Sequence, residues 1–457
     1  MLFNTIDAID ISVYKPTLDL ENKINLGEVQ TPYAIANELL NMLPSDVFLN
    51  KSLKWCEPGA GQGNISVVLF NKLVQGLIPL FSSVESCKTH ILSMITLIEI
   101  NHTNENRLIQ LFGPTNVFCK NFLQLNYGEK YDIIFGNPPF NTDGAKKVPT
   151  NTNMSKLSDG KTAWCDFVVK SMEMLNDDGY LCFIIPCIWM KPDKANVYKL
   201  LTSYKICKIK CFTNTETNAM FYGQAQTPSV FVVVQKTINM NNNSQISIFD
   251  KINDKYVDFM LFKDMPIPHC CPSIISKIYS HTQIVGSIKV YKTNMPPKHV
   301  EISDNKHGRF SYINIKTCTL SGNKPTLEYL YSTQPGPYHK IPKIVMAHGM
   351  YGFPYIDRYG SYGVANRDKY IITDKSYSDM QRLSTFLSTK SCLLFFEATK
   401  YRMKYLEKYI FEYIPDITKI EDFPKNITDE TIADFFGFNE IERNAIQKQF
   451  KEYGRFH

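Results

Sequence analysis

The chain has 457 residues, 44% hydrophobic and 21% charged, with a net charge of +6. That composition supplies apolar surface for about two to four domains and excludes a collagen-like, fibrous or wholly disordered polymer. The charge is uneven: residues 1–240 carry 21 basic and 21 acidic side chains, residues 241–410 carry 23 and 13, and residues 411–457 carry 6 and 10. The whole positive excess therefore lies in one block of the second half, as suits a surface for a polyanion.

Met1–Asp10 has no basic region followed by an apolar run, so it does not read as a secretory signal. Lys51–Cys56 reads as a strand leading into Glu57-Pro-Gly-Ala-Gly-Gln-Gly63. Asn64–Gln75 follows as a helix, with Ile65, Val68, Leu69 and Leu73 at helical spacing. Ile95–Glu99 is a short strand ending in an acid, Asn104–Phe112 a helix and Asn116–Cys119 a strand. Tyr131–Phe135 is an apolar strand that stops at Gly136-Asn-Pro-Pro139. Cys165–Leu175 is helical, Asp177-Asp-Gly179 a turn, and Tyr180–Pro186 and Val230–Gln235 are strands. Strands alternating with helices imply βαβ units and a mostly parallel sheet.

The polar break Asn239–Ser244 sets an expected boundary between domains at 1–240 and 241–457. Beyond it, Ala347–Gly363 reads as loops and short strands, and Asp379–Ser388 and Tyr401–Tyr413 as helices. Ile427–Ile446 has helical spacing interrupted at Gly437. The longest apolar runs, such as Leu181–Met190, fall short of the about 18 residues a membrane span needs. The twelve cysteines form no CxxC pair; Cys207 and Cys211 lack a second ligand pair and His269-Cys270-Cys271 stands alone. No metal site is expected, and a soluble intracellular protein with reduced thiols is.

Two segments carry chemistry. Gly59, Gly61 and Gly63 follow a strand and open a helix, where missing side chains let the backbone turn tightly and lie against a ligand. The spacing is neither G-x-G-x-x-G nor a phosphate loop, and the leading Glu57-Pro58 suits a ligand with cationic groups. The second segment is Phe135-Gly-Asn-Pro-Pro-Phe140. Its two prolines stiffen the turn, so that the Asn137 side chain and the Pro138 carbonyl can converge as acceptors on an amino group. Phe140 offers a ring face to a base.

Together, in this order, these segments resemble the N6-adenine-specific DNA methyltransferases. The likeness is to the group with an extra motif N-terminal to the cofactor loop and a C-terminal recognition domain. That extra motif is Gly27-Glu-Val-Gln-Thr-Pro-Tyr-Ala-Ile-Ala36, in which Thr31-Pro32 also reads as a helix cap followed by proline at the first helical position. The resemblance implies a Rossmann-like α/β S-adenosylmethionine-dependent methyltransferase domain followed by an α+β DNA-recognition domain.

It also implies roles. Thr31, Glu57, Pro58, Gly59, Gly61 and Gly63 would hold S-adenosylmethionine, Glu99 its ribose and Asn121 its adenine. The family usually has Asp where this chain has Asn121. Glu85 lies nearer the usual distance after the glycine loop, but the flanks of Glu99 are strand-like. Asn137, Pro138, Pro139 and Phe140 would be catalytic. Phe221 would sandwich the flipped base, with Tyr222 the competing ring. The expected partners are double-stranded DNA and a restriction endonuclease, with no membrane.

Among the basic-half residues, Tyr338, His339, Lys340, His348, Tyr355, Arg358, Arg367, Lys400, Tyr401, Arg402 and Lys404 are candidates for DNA contact. Asn-Pro-Pro-aromatic also occurs in protein glutamine methyltransferases, so that class, an RNA methyltransferase and a catalytically silent nucleic-acid-binding module stand as alternatives. A fused nuclease would rest on Pro415-Asp416, Glu421 and Lys425, whose spacing is wrong.

Overall fold

The structure, a computed structural model, describes residues 20–125, 128–143, 161–239, 243–321, 324–347, 354–367, 369–401 and 406–449. Met1–Asp10, residues 240–242 of the polar break, the stretch 348–353 with His348, and Arg402 and Lys404 lie outside them. The chain divides into two compact units, Met1–Ile248 with Met260–Asp264, and Phe249–Phe259 with Met265–His457.

The first unit opens with helices α1 (Leu20–Leu26) and α2 (Tyr33–Leu40). Its frame alternates β1 (Trp55–Pro58), α3 (Asn64–Leu77), α4 (Val84–Met94), β2 (Ile95–Glu99), α5 (His102–Phe112), β3 (Val117–Cys119) and β4 (Tyr131–Gly136). A two-residue ribbon follows, β5 (Asn141–Thr142) with β6 (Lys161–Thr162), and then α6 (Trp164–Met174) and β7 (Leu175–Pro186). The rest is α7 (Val197–Thr202), β8 (Tyr204–Phe212), α8 (Asn214–Met220) and β9 (Ser229–Ile238), followed by β10 (Asn243–Asp250) and β11 (Lys255–Phe262), of which residues 249–259 count with the second unit.

The sheet order is β11-β10-β8-β9-β7-β4-β1-β2-β3, with β3-β2-β1-β4-β7 all parallel and β9 antiparallel between β7 and β8. This is the α/β sheet that the strand–helix alternation predicts. Every residue of β1 is buried, and Ile65, Val68, Leu69 and Leu73 of α3 form part of the core. Connections leave β1 and β4 toward opposite edges of the sheet, so the order reverses between them. Ligands of open α/β sheets bind in the crevice at the carboxyl ends of strands at such a switch point.

Three expectations are corrected. Asp177-Asp-Gly179 is not a turn between elements but lies within β7, where the pairing with β4 slips by a bulge and Asp178 takes φ +64°. Tyr401–Tyr413 is not one helix: its described part holds only the short 3-10 turn Lys408–Glu412. Buried Tyr401 and Tyr413 instead donate their hydroxyls to the carbonyls of Ile267 and Pro266, so tertiary bonds override the local pattern. Thr31 does not cap α2: the helix starts at Tyr33 without a side-chain cap bond, and the Thr31 hydroxyl is engaged elsewhere.

The second unit is α+β. It contains α9 (Pro272–Val285), strands β12 (Tyr291–Lys292) to β18 (Lys369–Ile372), and helices α10 (Tyr377–Leu387), α11 (Lys390–Glu397), α12 (Asp429–Phe435) and α13 (Glu440–Gln449). Between β12 and β18 lie β13 (Ile302–Ser303), β14 (Tyr312–Ser321), β15 (Lys324–Ser332), β16 (Lys343–Ala347) and β17 (Tyr355–Asp357). Its sheets are antiparallel, one ordered β12-β18-β16-β17 and the other β13-β15-β14. The interruption expected at Gly437 separates α12 from α13, where Gly437 takes φ +65°. Among the described residues no helix is long and apolar enough to cross a membrane.

Candidate active site

The carboxyl ends of β1, β2, β3 and β4 meet at a cavity of about 390 Å³. Its lining includes Thr31, Glu57, Gly59, Gly61, Glu99, Asn121, Asn137 and Pro139, residues drawn from the whole span 31–139. Of the other sequence candidates, Pro58 and Pro138 are buried, and Phe140 is half-buried against the core. Gly63 serves packing: a Cβ there would lie 2.8 Å from Leu108 Cδ2 of α5. Phe221 sits in the core at 2% exposure, whereas Tyr222 is 60% exposed. Glu85 stands exposed on the first turn of α4, away from the cavity that Glu99 lines.

Two buried acids mark the floor. Glu99 ends β2 and is tied by backbone donors: Gly61 N at 2.7 Å, Asn101 N at 2.8 Å and Ile100 N at 3.0 Å. Burial raises its carboxyl above the usual range, and those donors oppose the rise. Glu57, one residue before the end of β1, is 2% exposed and accepts a hydrogen bond from the buried Ser66 hydroxyl of α3. Burial pushes its carboxyl up to about 8, with Glu99 adding to the rise and Ser66 opposing it. Two raised carboxyls in one cavity favour a cationic ligand, which relieves both burial and mutual repulsion.

The glycine turn leaves the wall open. Gly61 has φ +53°, and a Cβ built on it meets nothing within 4 Å. A Gly61→Val side chain would project into this open space and should weaken S-adenosylmethionine binding by about tenfold or more in calorimetry. Unchanged affinity would place the ligand elsewhere. Asn121 forms its own turn, its Oδ1 accepting from Leu123 N at 3.0 Å, and Phe122 stacks on Phe167 at 5.3 Å beside the cavity.

The segment before α2 is laced to the turn after β4. Asn137 Nδ2 donates to Thr31 Oγ1 at 3.1 Å, and Asn64 Nδ2 donates to Thr31 O at 2.9 Å. Gly27, at φ +70°, admits no side chain, because a Cβ would lie 2.0 Å from Asn141 O. Ala163 N donates to Phe140 O at 3.1 Å, fixing the far end of the turn to the start of α6. The loop carrying Tyr222 reaches the same segment: Gln30 N donates to Gln224 Oε1 at 3.3 Å. Sequence reading missed Asn64, Ser66 and Gln224. Only Ser66, a polar residue on the apolar face of α3, carries a local signal.

The reversed-strand sheet thus gathers two buried acids, an open glycine turn and Asn-Pro-Pro around one cavity. Residues 47–218 match the Eco57I restriction-modification methylase family, which covers β1 to α8 and thus the glycine turn, Glu99 and Asn137. The Type II methyltransferase M.VspI of Vibrio sp. (strain 343) is 30% identical over 183 residues, 38% of this chain and 40% of that protein. The Type II methyltransferase M.AccI of Acinetobacter calcoaceticus is 24% identical over 263 residues, 54% of this chain and 45% of that protein. The chain thus spans less than half the length of each of these relatives. Among solved structures, the Type IIL restriction-modification enzyme MmeI in complex with DNA aligns over 96% of this chain and 73% of its own, with 12% identity and a TM-score of 0.48.

The cofactor also yields a pH prediction. Glu57 is protonated in the free protein below its raised value of about 8. A bound cation favours the carboxylate, so binding expels a proton and affinity rises with pH, by up to about tenfold per unit between roughly pH 6 and 7. Calorimetry in buffers of different ionisation heat should show that proton release, and Glu57→Gln should abolish it. A parent protein whose cofactor affinity is flat over this range would contradict the assignment.

Proposed function

We propose that this chain is a DNA methyltransferase of a restriction-modification system, acting on the N6 amino group of an adenine drawn out of the duplex. The observation that carries the reading is the hydrogen bond from Asn137 Nδ2 to Thr31 Oγ1. It uses the donor end of the Asn137 amide and leaves Oδ1 to accept from a substrate. The nitrogen of an aromatic amine attacks poorly because its lone pair is spread into the ring. Accepting both of its hydrogens, at Asn137 Oδ1 and the Pro138 carbonyl, favours a localised lone pair. The paired prolines hold these acceptors in place at no further entropic cost.

When bound, S-adenosylmethionine supplies a methyl group activated by its sulfonium. Glu57 and Glu99 hold that ligand's cationic and ribose groups, and the Gly59–Gly63 turn lies along it. Phe140 stacks on the base. Tyr222 is the second ring we assign to it, since Phe221 is spent in the core while Tyr222 is exposed on the loop bonded to Gln30. No cysteine nucleophile is involved: transfer is direct, and positioning and electrostatics supply the acceleration.

The second unit, with the basic block, is assigned to duplex binding and target recognition. Phosphate contacts would set its register and base-edge contacts its sequence preference. The family of the 47–218 segment and the Type II names of the two relatives support a modification enzyme paired with a restriction endonuclease. Sequencing the modified bases in DNA from cells expressing the full chain tests this reading. N6-methyladenine confined to one recognition sequence is expected, and DNA with no added methylation would overturn it.

A further inference from the structure

At the edge of the main sheet, away from the catalytic turn, three side chains with metal-binding atoms converge. His102 and Glu105 lie one turn apart at the start of α5, and Cys119 ends the edge strand β3. His102 Nδ1 is 3.0 Å from Glu105 Oε2 and 3.2 Å from Cys119 Sγ, and all three ligand atoms lie within 4.8 Å of one another. A tetrahedral zinc ion with bonds of about 2.0–2.3 Å separates its ligand atoms by roughly 3.3–3.6 Å. The two spacings from His102 Nδ1 are a few tenths of an ångström shorter, within reach of small rotations of side chains that are exposed or half-buried.

We propose that His102, Glu105 and Cys119 form a binding site for a single borderline-soft divalent cation, zinc being the best match. The donor set is one imidazole nitrogen, one carboxylate oxygen and one sulfur, which selects zinc over magnesium or calcium. The carboxylate and the thiolate together balance the charge of the dication. Binding displaces the thiol proton of Cys119 into solvent and leaves the fourth position to water. The supports are already fixed: Asn101 Oδ1 caps α5 through Thr103 N at 2.9 Å, and β3 is paired in register with β2.

The position gives the ion a consequence. Cys119 is the direct register partner of Glu99, and Lys120 N donates to Glu99 O at 2.9 Å. Glu99 Oε1 in turn takes its donors from Ile100 and Asn101, the two residues before His102. An ion here clamps α5 to β3 across the loop that presents Glu99 to the cavity, with Asn121 two residues beyond Cys119. The site does not depend on which substrate is methylated.

The test uses the full chain with zinc alone, by competition with a chromophoric chelator, and with cobalt(II), whose thiolate charge-transfer band reports sulfur ligation. One equivalent should bind. Cys119→Ser should abolish the band, and His102→Ala and Glu105→Gln should each weaken binding by about tenfold or more. All three residues are at least partly exposed, so near-UV circular dichroism should show these variants folded. Cys270→Ser, which alters the separate His269-Cys270-Cys271 cluster, should leave the band unchanged. Failure of the parent to bind, or a band that survives Cys119→Ser, would overturn the proposal.

Discussion

Asn137→Ala should slow methyl transfer by about a hundredfold or more while leaving S-adenosylmethionine affinity within a few-fold of the parent. A hydrogen bond that tightens as charge develops is worth roughly that much when removed, and the prolines that shape the turn remain. Thr31 separates position from contact. Thr31→Val keeps the volume but deletes the acceptor that holds Asn137 Nδ2, freeing the amide to rotate. The rate should fall, and Thr31→Ser should restore most of it, because the hydroxyl returns. Phe140→Ala should cost about 1–3 kcal/mol, felt partly in substrate capture, whereas Phe140→Tyr keeps the ring face and the activity. Single-turnover kinetics with saturating labelled cofactor would measure all of these. An Asn137→Ala enzyme as active as the parent would remove the chemical core of the reading.

Binding of the full chain to duplex DNA should fall by about a thousandfold between roughly 50 and 200 mM salt if about six phosphates are contacted, since each contact releases condensed counterions. The structure narrows which charges take part. Lys343 is wholly buried, held by Asp357 Oδ2 at 2.5 Å and the Tyr362 carbonyl at 2.6 Å, so it is a core residue. Lys375 is paired with Asp416, and Lys400, one of the sequence candidates, with Glu397. Tyr401, another, is buried. Lys340 and Arg358 are exposed, with Arg358 lying 4.1 Å over the Tyr377 ring. Reversing the charge at both should reduce the salt slope by about two. Fluorescence anisotropy would read it, and salt-independent binding would remove the basic block as the DNA surface.

What the sequence made legible was local. Three glycines between a strand and a helix, and Asn-Pro-Pro at a strand's end, each encode their own geometry within a few residues. The parallel order of the sheet follows from the alternation that produces them. What stayed hidden depends on contacts between distant segments. Thr31-Pro32 looks like a helix cap by its neighbours alone, yet its hydroxyl meets a residue 106 positions away. Phe221 and Tyr222 are equivalent as letters, and only packing sends one into the core and the other to the surface. Cys119 and His102 share no motif, and the pairing of β2 with β3 is what brings them together. Tyr401 and Tyr413 fit a helical spacing, but their buried hydroxyl bonds hold the chain in another shape.

The most direct measurement is the chemical identity of the product. The full chain is incubated with methyl-labelled S-adenosylmethionine and duplex DNA, and the DNA is digested to nucleosides and separated. Label should appear in N6-methyladenine, and Asn137→Ala should abolish it. Label in N4-methylcytosine, or in protein with none in DNA, would contradict adenine N6 methylation as the function of this site.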